Sequence, residues 1–264
     1  MQSEIRNPKS EIHAPWTRTC LTLANYASPC VLIATKFSQP WIIALAVLVH
    51  GLFFYAIVAP QCGWLCPVAT RFRPSGREVW LTIDDGPVGE ATVRLGEEMQ
   101  SRGVRATFFV KGKNLACAPG IAQALMAAGH TLANHTQTHP SSIFAWLFPR
   151  ALRAEIDACN DALHRAGVAT VRWFRSPVGL KHLLLYPELS ARGMRHVAWS
   201  VRAHDGVICE PAAVSRRVAA QVKPGAIVLM HEGRKRSNEA ILRVIDELLQ
   251  RGYSFVIPQD EQLV

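Results

Sequence analysis

The sequence predicts an α/β fold, a barrel of βα units with about seven parallel strands, preceded by one transmembrane helix. Beyond Arg77, short apolar or β-branched runs alternate with longer amphipathic runs, the pattern of strands and helices around a parallel sheet. Before Arg77, a run of 19 residues carries no formal charge, and roughly 20 apolar residues are needed to cross a bilayer. A chain of 264 residues has room for one barrel domain and an appendage.

Seven segments after Arg77 have the length and composition of strands. They are Val79–Ile83, Ala106–Val110, Thr131–Asn134, Val171–Phe174, His196–Ser200, Ala226–Met230 and Ser254–Ile257. Helix-like stretches lie between them, at Thr92–Arg102, Ile121–Ala128, Arg150–Ala166, Pro211–Val222 and Asn238–Arg251. Glycines that end such stretches, as expected just past a helix C-terminus, are Gly103, Gly129, Gly167, Gly193 and Gly252. An open doubly wound sheet is the alternative to the barrel, disfavoured because no glycine-rich phosphate loop follows the first strand.

The apolar run from Trp41 to Ala59 predicts the transmembrane helix. Trp41 and Tyr55 are expected near the two membrane interfaces, where aromatic side chains concentrate. A cleaved secretory signal is the competing interpretation, but the run begins far from the N-terminus and Pro60 disfavours cleavage. We therefore expect a single-pass protein of the cell membrane, with an N-terminal segment (1–40), the helix (41–59), a linker (60–77) and a catalytic domain (78–264).

The side of the membrane on which the domain lies stays open. Basic residues flank the apolar run at both ends, with Arg6, Lys9, Arg18 and Lys36 before it and Arg71, Arg73 and Arg77 after it. A further apolar segment, Cys20–Ala34, is weakened as a second span by Asn25 and Pro29. Whether it also inserts is likewise open.

Composition narrows the class of protein. The formal net charge is +9, but the basic residues are scattered without a nucleic-acid-binding signature, so no nucleic-acid partner is expected. Anionic lipid or an anionic glycan carrier suits the same charge. A hydrophobic content of 49% argues against a disordered chain. Seven irregularly spaced cysteines give no disulfide framework, and Cys62 and Cys66 lack the second pair of a zinc finger.

Unusual polar residues follow five of the predicted strands. They are Asp84 and Asp85 after the first strand, His135 and His139 after the third, Arg175 after the fourth, Asp205 after the fifth and His231 after the sixth. In parallel α/β folds the catalytic groups gather where strands end and loops begin. We therefore expect these side chains on one face of the domain.

Two of these pairs suggest metal chemistry. His135 and His139, four residues apart, can bind one divalent metal through neutral imidazole nitrogens. Asp84 and Asp85 would repel each other unless one binds a cation and the other acts as a general base. Two histidines and one carboxylate leave positions open for water and substrate, as in catalytic metal sites. Each motif alone is ordinary, and their joint placement at strand ends favours a function.

Four strings occur in the order seen in the polysaccharide deacetylase family. They are Thr82-Ile83-Asp84-Asp85-Gly86-Pro87, His135-Thr136-Gln137-Thr138-His139-Pro140, Arg175-Ser176-Pro177-Val178-Gly179 and Leu229-Met230-His231. From roughly Glu78 to the C-terminus the chain resembles this family, carbohydrate esterase family four, which includes chitin, chitooligosaccharide and peptidoglycan N-deacetylases. The resemblance implies a distorted (β/α) barrel and a hydrolase acting on a non-peptide carbon–nitrogen bond.

The resemblance also implies a role for each matching residue. Asp85, His135 and His139 would hold a divalent metal, Zn²⁺ by default, with Co²⁺, Ni²⁺, Mn²⁺ or Fe²⁺ as alternatives. Asp84 would be the general base for the attacking water.

The remaining matches complete the implied machinery. His231 would protonate the departing amine, and Arg175 would orient the base. A backbone N–H near Val178 would stabilise the oxyanion together with the metal, and Leu229 would belong to the same substrate-facing set.

Two departures from the family pattern point away from a long chitin-like polymer as substrate. Val178 stands where the family often has an aromatic residue, so one wall of the substrate groove is expected to be smaller. The string Arg202-Ala203-His204-Asp205-Gly206 stands where the family often reads Asp-x-x-Asp-Trp. The first Asp and the Trp are missing, which makes Asp205 the candidate to anchor Arg175.

The predicted function is metal-dependent hydrolysis of an N-acyl group, above all N-acetyl, on an amino-sugar-containing glycan or a lipid-linked sugar of the cell envelope. The expected partners are that glycan or glycolipid and membrane lipid. Two alternatives stay open. One is a non-catalytic glycan-binding module on the same fold, and the other is a non-haem iron oxygenase, since two histidines and a carboxylate also hold Fe(II).

Overall fold

The computed structural model describes residues 16–36, 39–208 and 210–264. Two helices come first, α1 (Trp16–Ala34) and α2 (Pro40–Val58). They pack against each other, and their short connection makes them antiparallel. Residues 1–15, which include Arg6 and Lys9, lie outside the described residues, as does Cys209.

Helix α2 coincides with the expected apolar helix, beginning and ending one residue earlier than 41–59. Within the described ranges it is the one helix long and apolar enough to cross a membrane, and 22% of its apolar window is buried. A core helix of a soluble protein would be mostly buried. Helix α1, which contains Pro29, does not have that length and apolarity together.

The rest of the chain forms one α/β domain. Its strands are β1 (Val68–Ala69), β2 (Glu78–Asp84), β3 (Ala106–Val110), β4 (Thr131–Asn134), β5 (Trp173–Phe174), β6 (Arg195–Val197), β7 (Val201–Arg202), β8 (Ala226–His231) and β9 (Ser254–Phe255). Its helices are α3 (Glu90–Ser101), α4 (Gly112–Cys117), α5 (Gly120–Ala127), α6 (Pro149–Arg165), α7 (Leu185–Ala191), α8 (Pro211–Gln221) and α9 (Ser237–Gln250). The five predicted helices are confirmed to within two residues at each end.

All the named strands pair in parallel in a single sheet. Their order is β1-β6-β5-β4-β3-β2-β8-β7, and β9 pairs with the start of β2. The described residues show no pairing between the edge strands β1 and β7, so the sheet curls into a half-barrel and stays open on one side. The predicted parallel α/β architecture is confirmed, with nine strands in the described chain instead of about seven.

Part of the segment expected to be a linker, 60–77, lies in the domain instead. Its residues Val68 and Ala69 form β1, which pairs with His196 and Val197 of β6. Leu65 and Cys66 are buried. The sheet therefore includes residues upstream of residue 78, where the sequence predicts that the domain begins.

Alternation along β2 determines which side chains enter the interior of the half-barrel. Leu81 and Ile83 pack outward against the helices in the main hydrophobic core. Trp80 packs inward, against Trp173 at a ring-centroid distance of 4.8 Å. Because successive strand residues point to opposite faces, Asp84 shares the inward face with Trp80, at the C-terminal end of the strand.

Candidate active site

Asp84 is held in a buried ion pair with Arg175. The Arg175 guanidinium donates from Nη1 to Asp84 Oδ1 over 2.6 Å, and both side chains are almost fully buried. The same guanidinium donates to Thr82 Oγ1 at 2.9 Å and to the carbonyl oxygens of Val197 and Ala198 at 3.1 and 2.8 Å. These four bonds fix the guanidinium and, through it, the orientation of the Asp84 carboxylate.

Three potential metal ligands converge beside this pair. One ligand atom from each of Asp85, His135 and His139 lies within 4.8 Å of the other two. His139 Nε2 is 3.7 Å from Asp85 Oδ1, and His135 Nε2 is 3.6 Å from Asp84 Oδ2. Asp85 and His139 adopt left-handed backbone, with φ of 80° and 62°, a strain that is concentrated at ligand-binding sites.

The hydrogen bonds and surroundings of these residues suit a cation. His135 Nδ1 lies 2.8 Å from the carbonyl oxygen of Arg175. A carbonyl can only accept, so Nδ1 carries the hydrogen and Nε2 keeps its lone pair. Burial lowers the pKa of His135 and, with the nearby His135 ring, lowers that of His139 to about 4. Two neutral imidazoles and one carboxylate oxygen fit a divalent cation of the zinc type.

Asp85 has the charge that such a ligand requires. Burial by itself raises the pKa of this carboxyl, but the basic groups around it, among them the ammonium of Lys111, outweigh the effect, so the pKa is lowered overall. Lys111 Nζ lies 3.4 Å from Asp85 Oδ1. The carboxylate is therefore available as an anionic ligand at neutral pH.

His231 lies across from Asp84 on the neighbouring strand, since the two residues are register partners of β8 and β2. Asp205 Oδ1 is 2.8 Å from His231 Nδ1, and Asp205 Oδ2 accepts from the backbone N–H of His231 at 2.6 Å. The carboxylate therefore fixes the orientation of the ring through Nδ1, and Nε2 is the ring nitrogen that it does not engage.

The predicted role of Asp205 as the anchor of Arg175 is corrected by this geometry. Both carboxylate oxygens of Asp205 are engaged by His231. Arg175 is anchored by Thr82 and two backbone carbonyls of the Val197–Ala198 segment.

The two residues assigned to the substrate wall occupy different environments. Val178 lies in a short 3₁₀ turn, Pro177–Gly179, with φ of 48°, and its side chain is exposed. Leu229 is buried in the interior cluster with Trp80 and Phe109. Leu229 therefore packs inside the half-barrel and does not line a surface that a substrate could reach.

Two residues near Asp85 were missed by the sequence analysis. Arg234 Nη2 lies 3.7 Å from Asp85 Oδ2, and a Cβ at Gly206 would come within 2.9 Å of Arg234 Nη1. The Arg234 side chain therefore fills the space beside Gly206, the position at which the family pattern often has a tryptophan. Lys111 directly follows β3, so the strand-end criterion would have found it, whereas no sequence signal marks Arg234.

Glu232, the residue after His231, was also missed. Its Oε2 accepts a 2.5 Å hydrogen bond from Thr92 Oγ1, which in turn accepts from the Val88 N–H at 2.7 Å. Burial raises the pKa of Glu232 to about 7. A Cβ at Gly86 would lie 1.5 Å from Glu232 Oε1, so any other residue there would displace the Glu232 carboxyl group. This network holds the loop that follows Asp85.

Comparisons with known proteins place the chain in a family. A sequence model described as polysaccharide deacetylase matches residues 72–197. A chitooligosaccharide deacetylase of Rhizobium leguminosarum bv. trifolii is 30% identical over 200 residues, covering 67% of this chain and 88% of the relative. A family 4 carbohydrate esterase of Streptomyces lividans, solved in complex with acetate, aligns with a TM-score of 0.65 at 28% identity, over 72% of this chain and 97% of the other. The chain belongs to the polysaccharide deacetylase family.

That family also contains proteins without activity. A carbohydrate esterase family 4 pseudoenzyme of Bacillus anthracis aligns with a TM-score of 0.64 at 29% identity, over 70% of this chain and 65% of the other. Whether a member of the family is a hydrolase or a pseudoenzyme therefore depends on the residues of its site and not on its fold.

Proposed function

We propose that this chain is an amide hydrolase that removes an N-acyl group, N-acetyl in the first place, from an amino sugar, with a divalent cation bound by Asp85, His135 and His139. The observation that carries the proposal is the convergence of these three ligands beside the Asp84–Arg175 pair. The similarity to a chitooligosaccharide deacetylase and to a peptidoglycan N-acetylglucosamine deacetylase of Bacillus cereus supports the substrate class.

The cation would supply a Lewis acid that polarises the acyl carbonyl and makes water a better nucleophile. Zinc is the expected metal because two imidazoles and a carboxylate are its usual catalytic ligands. Asp84, fixed by Arg175, takes the proton of the attacking water as its oxygen bonds to the carbonyl carbon. The backbone N–H of Val178 donates to the oxyanion that forms.

Collapse of the oxyanion breaks the carbon–nitrogen bond and releases a free amine and a carboxylic acid. His231 donates the proton that the departing nitrogen requires. Asp205, bonded to His231 Nδ1, holds the ring so that Nε2 carries this proton. Asp84 and His231 thus act as base and acid from neighbouring strands.

The test is acetate release by the full-length chain in detergent, with added Zn²⁺ and with chelator. The substrate panel includes N-acetylated chitooligosaccharides, peptidoglycan fragments and lipid-linked N-acetylated sugars. We expect Asp84→Asn to lower kcat by about 10²–10⁴-fold. The matched control is Asp246→Asn, a surface aspartate paired with Arg102, which should leave kcat unchanged.

The alternative, a glycan-binding module without turnover, is favoured by the altered string Arg202–Gly206 and by the pseudoenzyme among the structural relatives. It predicts binding of the same glycans that survives chelation, with no acetate release. Equal acetate release by wild type and Asp84→Asn would contradict the hydrolase mechanism.

We further propose that α2 anchors the chain in a membrane and that residues from about 60 to 264 form the catalytic unit beside it. The exposed apolar surface of α2 supports this. Extraction with alkaline carbonate should leave the full-length protein in the membrane fraction. A free N-terminus near residue 60 in the mature protein would instead indicate a cleaved signal.

A further inference from the structure

An exposed apolar loop follows the second metal-binding histidine. Residues 143–148, named here the apolar loop, begin four positions after His139. Ile143, Trp146 and Phe148 are 56%, 65% and 83% exposed. Soluble domains rarely present large apolar side chains in one short loop without a partner for them.

The apolar loop lies against the domain-proximal end of α2. Its residue Ala145 is buried in one cluster with Ala56 and Ile57 of α2 and with Cys62 and Leu65. The last turn of α2 is therefore embedded in the domain. The apolar loop is adjacent to the point where the helix leaves it.

Aromatic side chains surround the same helix end. Tyr55 and Trp64 have ring centroids 5.6 Å apart, and Thr17, next to the exposed Trp16, donates to the Trp64 carbonyl at 3.1 Å. Tyrosine and tryptophan concentrate at the boundary between lipid headgroups and acyl chains. Trp146, which follows the buried Ala145 in the apolar loop, is a further exposed aromatic side chain on the segment that packs against this helix end.

The helix is fastened to the domain, so the position of the apolar loop relative to α2 is fixed. The buried Lys181 ammonium donates to the carbonyl oxygens of Ala59 and Pro60 at 2.6 and 3.0 Å, and its backbone N–H donates to Ile57 O at 2.9 Å. A side chain at Gly179 would clash with Pro60 at 2.6 Å. The helix end is thus packed against the turn that carries Val178.

We propose that the apolar loop inserts into the same lipid surface that α2 enters. The C-terminal ends of the strands then face the bilayer. The segment that contains His135 and His139, which directly precedes the apolar loop, lies next to the lipid. This rests on the proposed anchoring of α2 and deepens the proposed function, since it selects substrates whose sugar is held at a membrane surface. The occupant is a lipid bilayer, because the loop packs through Ala145 against the end of α2, and both the loop and α2 expose large apolar side chains.

The experiment uses photo-crosslinking of the full-length chain in lipid nanodiscs. p-Benzoylphenylalanine is placed singly at Phe148 in the apolar loop, at Leu48 in the exposed face of α2, and at Gln250 near the end of α9. Gln250 is exposed on a helix whose main packing partners are α8 and α3. Radiolabelled phospholipid reports lipid contact without requiring turnover.

We expect lipid adducts at positions 48 and 148 and about tenfold fewer at position 250. Adducts at 48 but not at 148 would overturn the insertion of the loop while leaving the anchor intact. The absence of adducts at both positions would refute the anchor as well. Crosslinks from 148 to a second copy of the chain would assign the loop to a protein interface and overturn the proposal. A failure of the deacetylase activity appears only in the separate acetate assay.

Discussion

Replacing Arg175 by methionine should lower the free energy of unfolding by about 3–5 kcal/mol, because it leaves the buried Asp84 carboxylate without its cationic partner. The side chains of the two residues are 1% and 3% exposed, so water cannot take over the role of the guanidinium. Three further acceptors, Thr82 Oγ1 and the carbonyls of Val197 and Ala198, lose their donor at the same time.

The ion-pair contribution can be separated with a double-mutant cycle. Asp84→Asn alone leaves a buried guanidinium without its carboxylate and should cost a similar amount. The double variant Asp84→Asn/Arg175→Met removes both charges and should cost about 2–4 kcal/mol, less than the sum of the single changes.

Thermal unfolding in detergent with chelator, followed by near-UV circular dichroism, measures these differences. Each single change should lower Tm by roughly 6–20 °C for a domain of this size. If the two single effects add, the pair is not coupled and the argument that Arg175 fixes Asp84 is refuted.

Three other changes test neighbouring parts of the structure. Asp205→Asn should lower kcat for acetate release by about 10²–10⁴-fold. The amide has no charge and keeps only one acceptor oxygen for the backbone N–H and the Nδ1–H of His231. An unchanged kcat would mean that His231 does not need the Asp205 carboxylate. Burial raises the pKa of Glu232 from 4.5 to about 7, so the folded state binds the proton more tightly than the unfolded state. The free energy of unfolding should therefore fall as the pH rises from 4.5 to about 7. A Glu232→Gln variant should lack this fall in Tm, measured with chelator, and the same pH profile in both proteins would contradict the assignment. Gly179→Ala places a Cβ 2.6 Å from Pro60 at a φ of 78°, so it should destabilise the chain by about 1–3 kcal/mol, whereas Gly76→Ala, in open space, should not.

The convergence of the three candidate metal ligands could be predicted because it depends on local signals. Asp85, His135 and His139 each follow a recognisable apolar strand, and parallel strands bring their C-terminal ends to one edge. Strands β2, β3, β4 and β8 are long enough to be recognised as strands from their apolar and β-branched composition.

Two short strands, β1 and β7, escaped prediction. They contain two residues each, too few for any alternation to appear. The equally short β5 and β9 were predicted because each lies within a longer run of strand-like composition, Val171–Phe174 and Ser254–Ile257. The positions of β1 and β7 depend on pairing with β6 and β8, which is a tertiary property. For this reason the boundary predicted at residue 78 lies downstream of β1.

The partner of Asp205 could not be read from the sequence either. β7 pairs with β8, with Arg202 opposite Leu229, and this register brings the loop after β7 to His231. Arg175 donates to two backbone carbonyls. Every residue has such a carbonyl, so the sequence does not show which ones will accept. The Asp84–Arg175 and Asp205–His231 pairs also disfavour the oxygenase alternative. That chemistry assigns no role to Arg175 or His231.

The Lys181 contacts have a consequence for proteolysis. Burial lowers the pKa of this ammonium to about 8, and the carbonyls of Ala59 and Pro60 are its acceptors. Hydrolysis of the peptide bond between these residues would give a carboxylate at Ala59 and a cationic amino terminus at Pro60. When the helix departs with the Ala59 carboxylate, the lysine loses that acceptor and is left beside the new positive charge. The domain released in this way would carry two like charges in a dry pocket, so the intact peptide bond between helix and domain is itself a structural element.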